Sequence, residues 1–511
     1  MKYLACLLHL FIIIFIIIKY LIFLIILILK KMSFFYLLLI SLISTTLTEN
    51  KLVFVLTHFR HGARAPQSYY NAEEHLDYIF EKWERPGELT GMGQRMHYLL
   101  GLRNRERYIT NFKFLSEKFD PHEILIYSSS FNRTLNSVGS QIQGLYPQYM
   151  ELGERITEDQ IARAKPRVAL SNNITEHEKS LGERALPNYM VVAPIRMINH
   201  NEKKIIIYDI PKCLFRRDEW REKNYNSLDS LKNIVKKFND EYVDKIKKYY
   251  KKDQNYDIHF VDNFCDAFIA GYTEGKDMKI IKESGVDQTS LLNYCYNFSA
   301  LNFRDWISGD KDRTLATMEV SKQMREFIYY MKKRVDADIA GEDIAKKLED
   351  YSRPKMMMIS AHDSTVSTYE MFFAKIFNNN DAISFYRYPY FATQIALEVV
   401  TDGSVDSKTK TYSDYIINYY FNDELVFNRT MDEFIKAVEP ALWSDEKIDE
   451  YCHFVEKEEK EDTGVYIYLT ITFSCLSAIL LIILVILIIK MAKNKSVIDK
   501  GGVLLNSYDQ N

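Results

Sequence analysis

A chain of 511 residues with 47% hydrophobic and 26% charged content can bury a large core, most naturally in two lobes. Its 66 Lys and Arg against 69 Asp and Glu leave a formal charge of −3, which excludes a generally basic surface and with it nucleic acid as the expected partner. The sequence contains no dense His/Cys/Asp cluster at metal-ligand spacing, so no metal or other cofactor is expected.

Residues 1–48 read as a leader. The first 31 are mostly Leu and Ile, broken by Lys19 and closed by Lys30-Lys31, and a second apolar stretch from Phe34 to Ile43 runs into Ser44, Thr45 and Thr46. That second stretch has the length of a signal-peptide core with small residues behind it for cleavage, so translation is expected to start at Met32. Leu52-Val53-Phe54-Val55-Leu56 then reads as a strand and delivers Arg60-His61-Gly62-Ala63-Arg64-Ala65-Pro66 at its carboxyl end. A second strand, Ile124-Leu125-Ile126-Tyr127, ends in Ser128-Ser129-Ser130 and is followed by Asn132-Arg133-Thr134.

Residues 151–349 carry amphipathic stretches such as 318–335 and 343–351 with few alternating segments, which predicts a mainly helical cap. Within it the lysine-rich run 232–252 sets Val235, Phe238, Tyr242, Val243 and Ile246 at helical spacing and reads as a solvated amphipathic helix. Met356-Met357-Met358-Ile359 is a third strand, ending in Ser360-Ala361-His362-Asp363-Ser364-Thr365. Two further strand-like runs, 395–400 and 416–421, precede a turn at Asn422-Asp423 and a last run at 424–428. The implied fold class is α/β: a three-layer α/β/α sandwich core from residues 49–150 and 350–455, with the helical cap inserted between the halves.

Residues 465–489 are almost wholly apolar and long enough to cross a bilayer, and Lys490, Lys493 and Lys495 follow at once. The positive flank predicts a cytoplasmic tail at 490–511 and a type I single-pass protein with its large domain lumenal or extracellular. Of six cysteines, Cys6 falls in the leader and Cys475 in the span, leaving Cys213, Cys265, Cys295 and Cys452. Four cysteines in an oxidising compartment suggest two disulfides, with three pairings open. Sequons at Asn173, Asn297 and Asn428 are expected to carry glycans, while Asn132, beside Arg133, is expected to stay bare.

In open α/β sheets ligands bind outside the carboxyl ends of parallel strands, so the three polar segments converge on one pocket if the strands before them are neighbours. Singly, each residue has an ordinary reading: a surface ion pair for Arg60 or Arg64, a hydrogen-bonded core imidazole for His362, a helix N-cap for Asp363. Together they answer the needs of phosphate-ester hydrolysis. Arg60, Arg64 and Arg133 neutralise the phosphoryl oxygens, an imidazole attacks phosphorus, and a carboxylic acid protonates the departing alkoxide.

These residues resemble the histidine acid phosphatases, the acid phosphatase and phytase branch of the histidine phosphatase superfamily, with Arg-His-Gly-x-Arg-x-Pro early and His-Asp late. The likeness continues in Gly87-Glu88-Leu89-Thr90 with Gly93-Gln94-Arg95, similar to the family's helix start after the first loop, in Gly144-Leu145-Tyr146-Pro147, and in Pro389-Tyr390-Phe391-Ala392 with Glu398 beyond. It implies that His61 is the nucleophile, that Arg60, Arg64, Arg133 and His362 bind the phosphoryl group, and that Asp363 is the proton donor. It also implies a pairing of Cys213 with Cys452, leaving Cys265 with Cys295. Ala63 and Ala65 stand where many members have an acidic and a hydroxyl residue, Tyr127 where animal acid phosphatases have an arginine, and Gln394 where they have a cysteine. These departures touch substrate preference rather than the six groups named.

The leading expectation is a membrane-anchored acid phosphatase of the lysosomal-endosomal system or cell surface, acting on small phosphomonoesters. An inositol-phosphate or lysophospholipid-phosphate phosphatase would use the same chemistry, since the cap chooses the leaving group. A catalytically silent receptor or adhesion ectodomain is the reading from another class, and loss of a core group would have favoured it. The oligomeric state is open, a homodimer being one option.

Overall fold

The computed structural model describes residues 19–21, 50–67, 83, 85–164, 172–198, 228–250, 254–276, 278–308, 312–341, 354–378, 381–451, 477 and 479–490. It comprises two compact units, residues 1–448 and 449–511.

In the first unit β1 (Asn50–Arg60), β2 (Ile124–Ser129), β3 (Arg196–Ile198), β4 (Met356–Ala361), β5 (Gln394–Asp402), β6 (Tyr415–Phe421) and β7 (Glu424–Thr430) form one sheet in the order β3-β2-β4-β1-β5-β6-β7. Strands β3, β2, β4 and β1 run parallel, and β5, β6 and β7 complete the sheet antiparallel. The expected turn at Asn422-Asp423 joins β6 to β7, with Asn422 in the left-handed region at φ 54°. Strands β2 and β4 are buried along their whole length, which is why both read as unbroken apolar runs. In β6, by contrast, every second residue is buried.

The principal helices are α1 (Gly91–Arg105), α2 (Asn132–Leu145), α3 (Asp229–Phe238), α4 (Ile258–Thr273), α5 (Gln288–Ser308), α6 (Thr314–Ile339), α7 (Asp363–Phe377) and α8 (Met431–Val438). Alternation along the strands divides the core into two faces. Leu125, Tyr127, Met357 and Ile359 point to one side, against Met324 and Phe327 of α6, Phe373 of α7 and Phe434 of α8. Ile124, Ile126, Met356 and Met358 point to the other, against Val138, Ile142 and Leu145 of α2. Helix α1 packs on α2 through a glycine contact: a Cβ on Gly101 would stand 2.0 Å from the Gln141 carbonyl oxygen, and one on Gly144 2.0 Å from that of Tyr98. The result is the expected three-layer α/β/α sandwich.

A separate apolar cluster lies within the stretch expected to be the cap, with Phe238, Tyr242, Ile246, Phe264, Phe268, Tyr294 and Phe298 at its centre. A disulfide between Cys265 and Cys295 joins α4 to α5. Cys213 and Cys452 lie outside the described residues. The lysine-rich segment is not one α-helix: α3 passes into a π turn at Asn239–Val243 before the α turn Asp244–Ile246 and a 3-10 turn at Lys247–Tyr249. The wider π turn lowers the angle per residue, so Phe238, Tyr242 and Ile246 all stay on the buried face instead of drifting around the helix.

Two elements inside the stretch expected to be cap belong to the sheet layers. Helix α6 buries Val320, Met324, Phe327 and Met331 against the sheet, and β3 pairs with β2. A three-residue strand carries too short a pattern to be read from sequence, and the stripe of α6 shows only that it is covered, not by what. The expected helix at 343–351 and nearly all of the leader lie outside the described residues.

In the second unit residues 479–490 are helical, and the side chains from Ile479 to Ile489 are exposed. Among the described residues no helix is long and apolar enough to cross a membrane. Residues 465–476 and 478 of the expected span lie outside them.

Candidate active site

The register of the sheet assembles the site. Arg60 of β1 is paired with Ala361 of β4, so His61 and His362 leave neighbouring parallel strands at the same level. Ser128 of β2 is paired with Ser360 of β4, which starts α2 and Arg133 from the adjacent position. Side chains then tie the three exits together. The Ser360 hydroxyl donates to the Thr134 carbonyl at 2.8 Å, and the Gly62 N–H donates at 3.1 Å to Ser137 Oγ, whose own hydroxyl donates to the Arg133 carbonyl. The loop after β1 lies directly on the start of α1, because neither glycine at the crossing has a side chain: a Cβ on Gly62 would stand 2.4 Å from the Gly93 oxygen.

All six residues singled out from sequence come together here. Arg60, Arg64, Arg133, His362 and Asp363 line a cavity of about 270 Å³, with Phe131, Phe391 and Tyr388 from the core and Asp262, Asp266, Ser299 and Phe303 from the cap. His61 is only 1% exposed, its ring 5.6 Å from that of His362. Its Nδ1–H donates to the Gly62 carbonyl at 2.9 Å, which leaves the lone pair on Nε2, a buried atom with no protein partner. Burial and the nearby Arg133, Arg60 and Arg64 charges hold its pKa well below the ordinary histidine value, so the imidazole is neutral even in mildly acidic solution.

Each guanidinium is held by different neighbours. Arg60 forms an ion pair with Asp363 at 2.6 Å, donates to the Pro389 carbonyl at 2.8 Å and lies over the Phe391 ring. Burial opposes its charge, and the Asp363 carboxylate, Tyr388 and Asp266 together more than offset this, raising its pKa. Arg64 grips both oxygens of Asp266. Arg133 lies over the Phe131 ring, and burial followed by repulsion from Arg64 pushes its pKa down to about 10. The Nε atoms of all three arginines are buried without a protein partner. His362 bonds through Nε2 to Ser129 Oγ at 3.0 Å and receives an Arg133 N–H at Nδ1 at 3.4 Å. The arrangement offers concentrated positive charge, unused donors and one unprotonated nitrogen.

Sequence reasoning missed Asp266, Phe131 and Tyr388 as parts of the site and quoted Ser129 and Phe391 within motif segments without giving them a role. Asp266 is brought to Arg64 from 202 positions away. The departures noted above also find their surroundings. Ala63 and Ala65 are buried, and the Ala63 carbonyl accepts from both the N–H and the hydroxyl of Thr90. Tyr127 donates to Glu326 of α6 at 2.9 Å, and Gln394 joins a buried amide network with Asn104 and Gln141. Glu398 takes a two-pronged grip from Arg107 and a Tyr108 hydroxyl, which anchors β5 to the turn after α1.

The family model described as histidine phosphatase superfamily (branch 2) matches residues 51–422, and the chain belongs to that family. It is 39% identical over 108 residues to the testicular acid phosphatase of Mus musculus, a stretch covering 21% of this chain and 25% of the other. It is 36% identical over 97 residues to the lysosomal acid phosphatase of Xenopus laevis, covering 19% and 21%. The matched stretch thus spans about a quarter of the length of these curated relatives. Among solved structures, a Hafnia alvei phytase in complex with myo-inositol hexakis sulphate is 12% identical, with a TM-score of 0.47 over 78% of this chain and 98% of that one.

Proposed function

We propose that the protein is an acid phosphatase that hydrolyses phosphate monoesters through a phosphohistidine on His61. The observation that carries this reading is His61 Nε2, buried and without a partner beside three guanidinium groups whose Nε atoms are equally unpartnered. Buried donors without partners are costly, and a phosphate dianion would satisfy them together. Its oxygens would draw Arg60 away from Asp363, leaving that carboxyl to take up a proton. His61 Nε2 then attacks phosphorus, the ester P–O bond breaks, and Asp363 passes its proton to the leaving oxygen. In the second half Asp363 accepts a proton from water, whose oxygen attacks the phosphohistidine and releases phosphate. Helices α2 and α7, which begin at Asn132 and Asp363, add their N-terminal field to the charge stabilisation. Burial and the surrounding guanidinium charges favour neutral His61, the form that can attack phosphorus.

Removing one positively charged contact to a transferring phosphoryl group costs on the order of 10²–10³ in rate. Arg133→Ala should therefore lose about that factor in kcat for a simple aryl phosphate, and a loss below about tenfold in the folded variant would remove Arg133 from the reading.

The anchoring proposal is a type I membrane protein with its catalytic unit in an oxidising compartment, glycosylated at Asn173, Asn297 and Asn428. The Cys265–Cys295 disulfide, the exposed side chains of Asn297 and Asn428 and the exposed Ile and Leu run at 479–489 support it. A chain ending at Asp462 should be secreted and hydrolyse monoesters at acid pH. Its retention in the membrane fraction with the leader removed would count against the anchor, and its secretion as a folded but inert protein would count against the phosphatase.

A further inference from the structure

We propose that Asp266, with Asp262, is a specificity-determining pair that turns the enzyme against leaving groups carrying additional phosphates and restricts it to esters with a single phosphate. This rests on the phosphatase reading above and names its substrate class. Among the described residues lining the cavity, the three arginines Arg60, Arg64 and Arg133 are matched by three carboxylates, Asp262, Asp266 and Asp363, and there is no lysine. One phosphate dianion uses all the positive charge available there. Among the described residues a second phosphate finds no cation left to meet it.

The two cap carboxylates are held in place. They stand one helical turn apart on α4, four positions being the spacing that shares a face. Asp266 is gripped at both oxygens by Arg64 and accepts the Gln67 N–H at 3.1 Å, and these donors, against the opposing effect of burial, keep its carboxyl below the usual range. Asp262 accepts from Asn302 Nδ2 at 2.9 Å. In-line displacement sends the leaving group away from His61. The cap wall it meets contains these carboxylates with Ile269, Ser299 and Phe303, so an added phosphate would be set against fixed negative charge in a half-enclosed space of lowered dielectric. A neutral leaving group meets the same wall without that repulsion and can pack on Ile269 and Phe303.

The test compares fructose 6-phosphate with fructose 1,6-bisphosphate, which share a sugar skeleton and differ by one phosphate, carried on the leaving group. In the full-length wild type, kcat/KM should be about tenfold or more lower for the bisphosphate, and Asp266→Asn should narrow that gap about tenfold, the scale of one unit charge at close range. Asp262→Asn should also narrow it, and added salt should narrow the wild-type gap more than that of either variant. If Asp266 only supports Arg64, both esters slow by the same factor and the gap stays. That result, or a wild type that hydrolyses both esters equally well, overturns the proposal. Calorimetric binding of orthophosphate against tripolyphosphate makes the same comparison without turnover. A protein that discriminates between these anions in an Asp266-dependent way yet hydrolyses neither ester would sink the phosphatase reading and leave the charge selection standing.

Discussion

His61→Ala should abolish turnover, a loss on the order of 10⁴-fold or more, the scale seen when a covalent nucleophile is removed. No other unprotonated nitrogen in the described cavity shares its position: His362 uses both ring nitrogens, on Ser129 and Arg133. The fold should survive, because the backbone of residue 61 carries the local structure whatever its side chain. Its N–H donates to the Ala361 carbonyl at 3.0 Å and its carbonyl accepts from Ala392 at 3.1 Å. Circular dichroism and thermal unfolding would establish that. Rapid quenching of the wild type during turnover of a labelled ester should trap phosphate on the protein in the acid-labile, base-stable form expected of phosphohistidine, and the variant should trap none. Near-normal turnover by folded His61→Ala would end the covalent mechanism.

Asp363→Asn should separate substrates by their leaving groups. General acid catalysis contributes about 10²–10⁴-fold where the departing oxygen is strongly basic and little where it is not. Hydrolysis of an alkyl phosphate should therefore fall by about that factor, and hydrolysis of an activated aryl phosphate far less. Asparagine preserves the shape of the side chain and no longer forms the 2.6 Å ion pair with Arg60, so phosphate binding should hold or tighten. The difference between alkyl and aryl phosphate turnover should be large in the variant and small in the wild type. An equal loss on both esters in chemistry-limited single turnovers would show that Asp363 is not the acid.

Much of this site was legible before any coordinates, and the reason is local. His61 and His362 each lie one residue beyond a strand, and Arg133 four residues beyond one, so recognising three apolar runs was enough to set three polar segments on one sheet edge. That they meet depends on β2, β4 and β1 being consecutive and parallel in the sheet, and sequence could state this only as a condition. The β6–β7 hairpin was equally readable, since alternation and an Asn-Asp turn both act within a few residues.

Sequence by itself thus determined the chemistry on offer: which cations, imidazoles and carboxyls stand after strands, and which segments alternate or repeat at helical period. Tertiary structure alone decided what those groups face. Asp266 reaches Arg64 across 202 positions, Gln394 joins Asn104 across 290, and Phe391 turns its ring face to Arg60. The packing of α6 on the sheet rather than in the cap is of the same kind, whereas the joining of Cys265 to Cys295 was already implied by the family resemblance. Hydrogen bonds, ion pairs and ring contacts act over a few ångströms of space. Residues hundreds of positions apart that meet in this way leave no periodic trace in the chain, whereas capping, alternation and strand exit act between near neighbours and do.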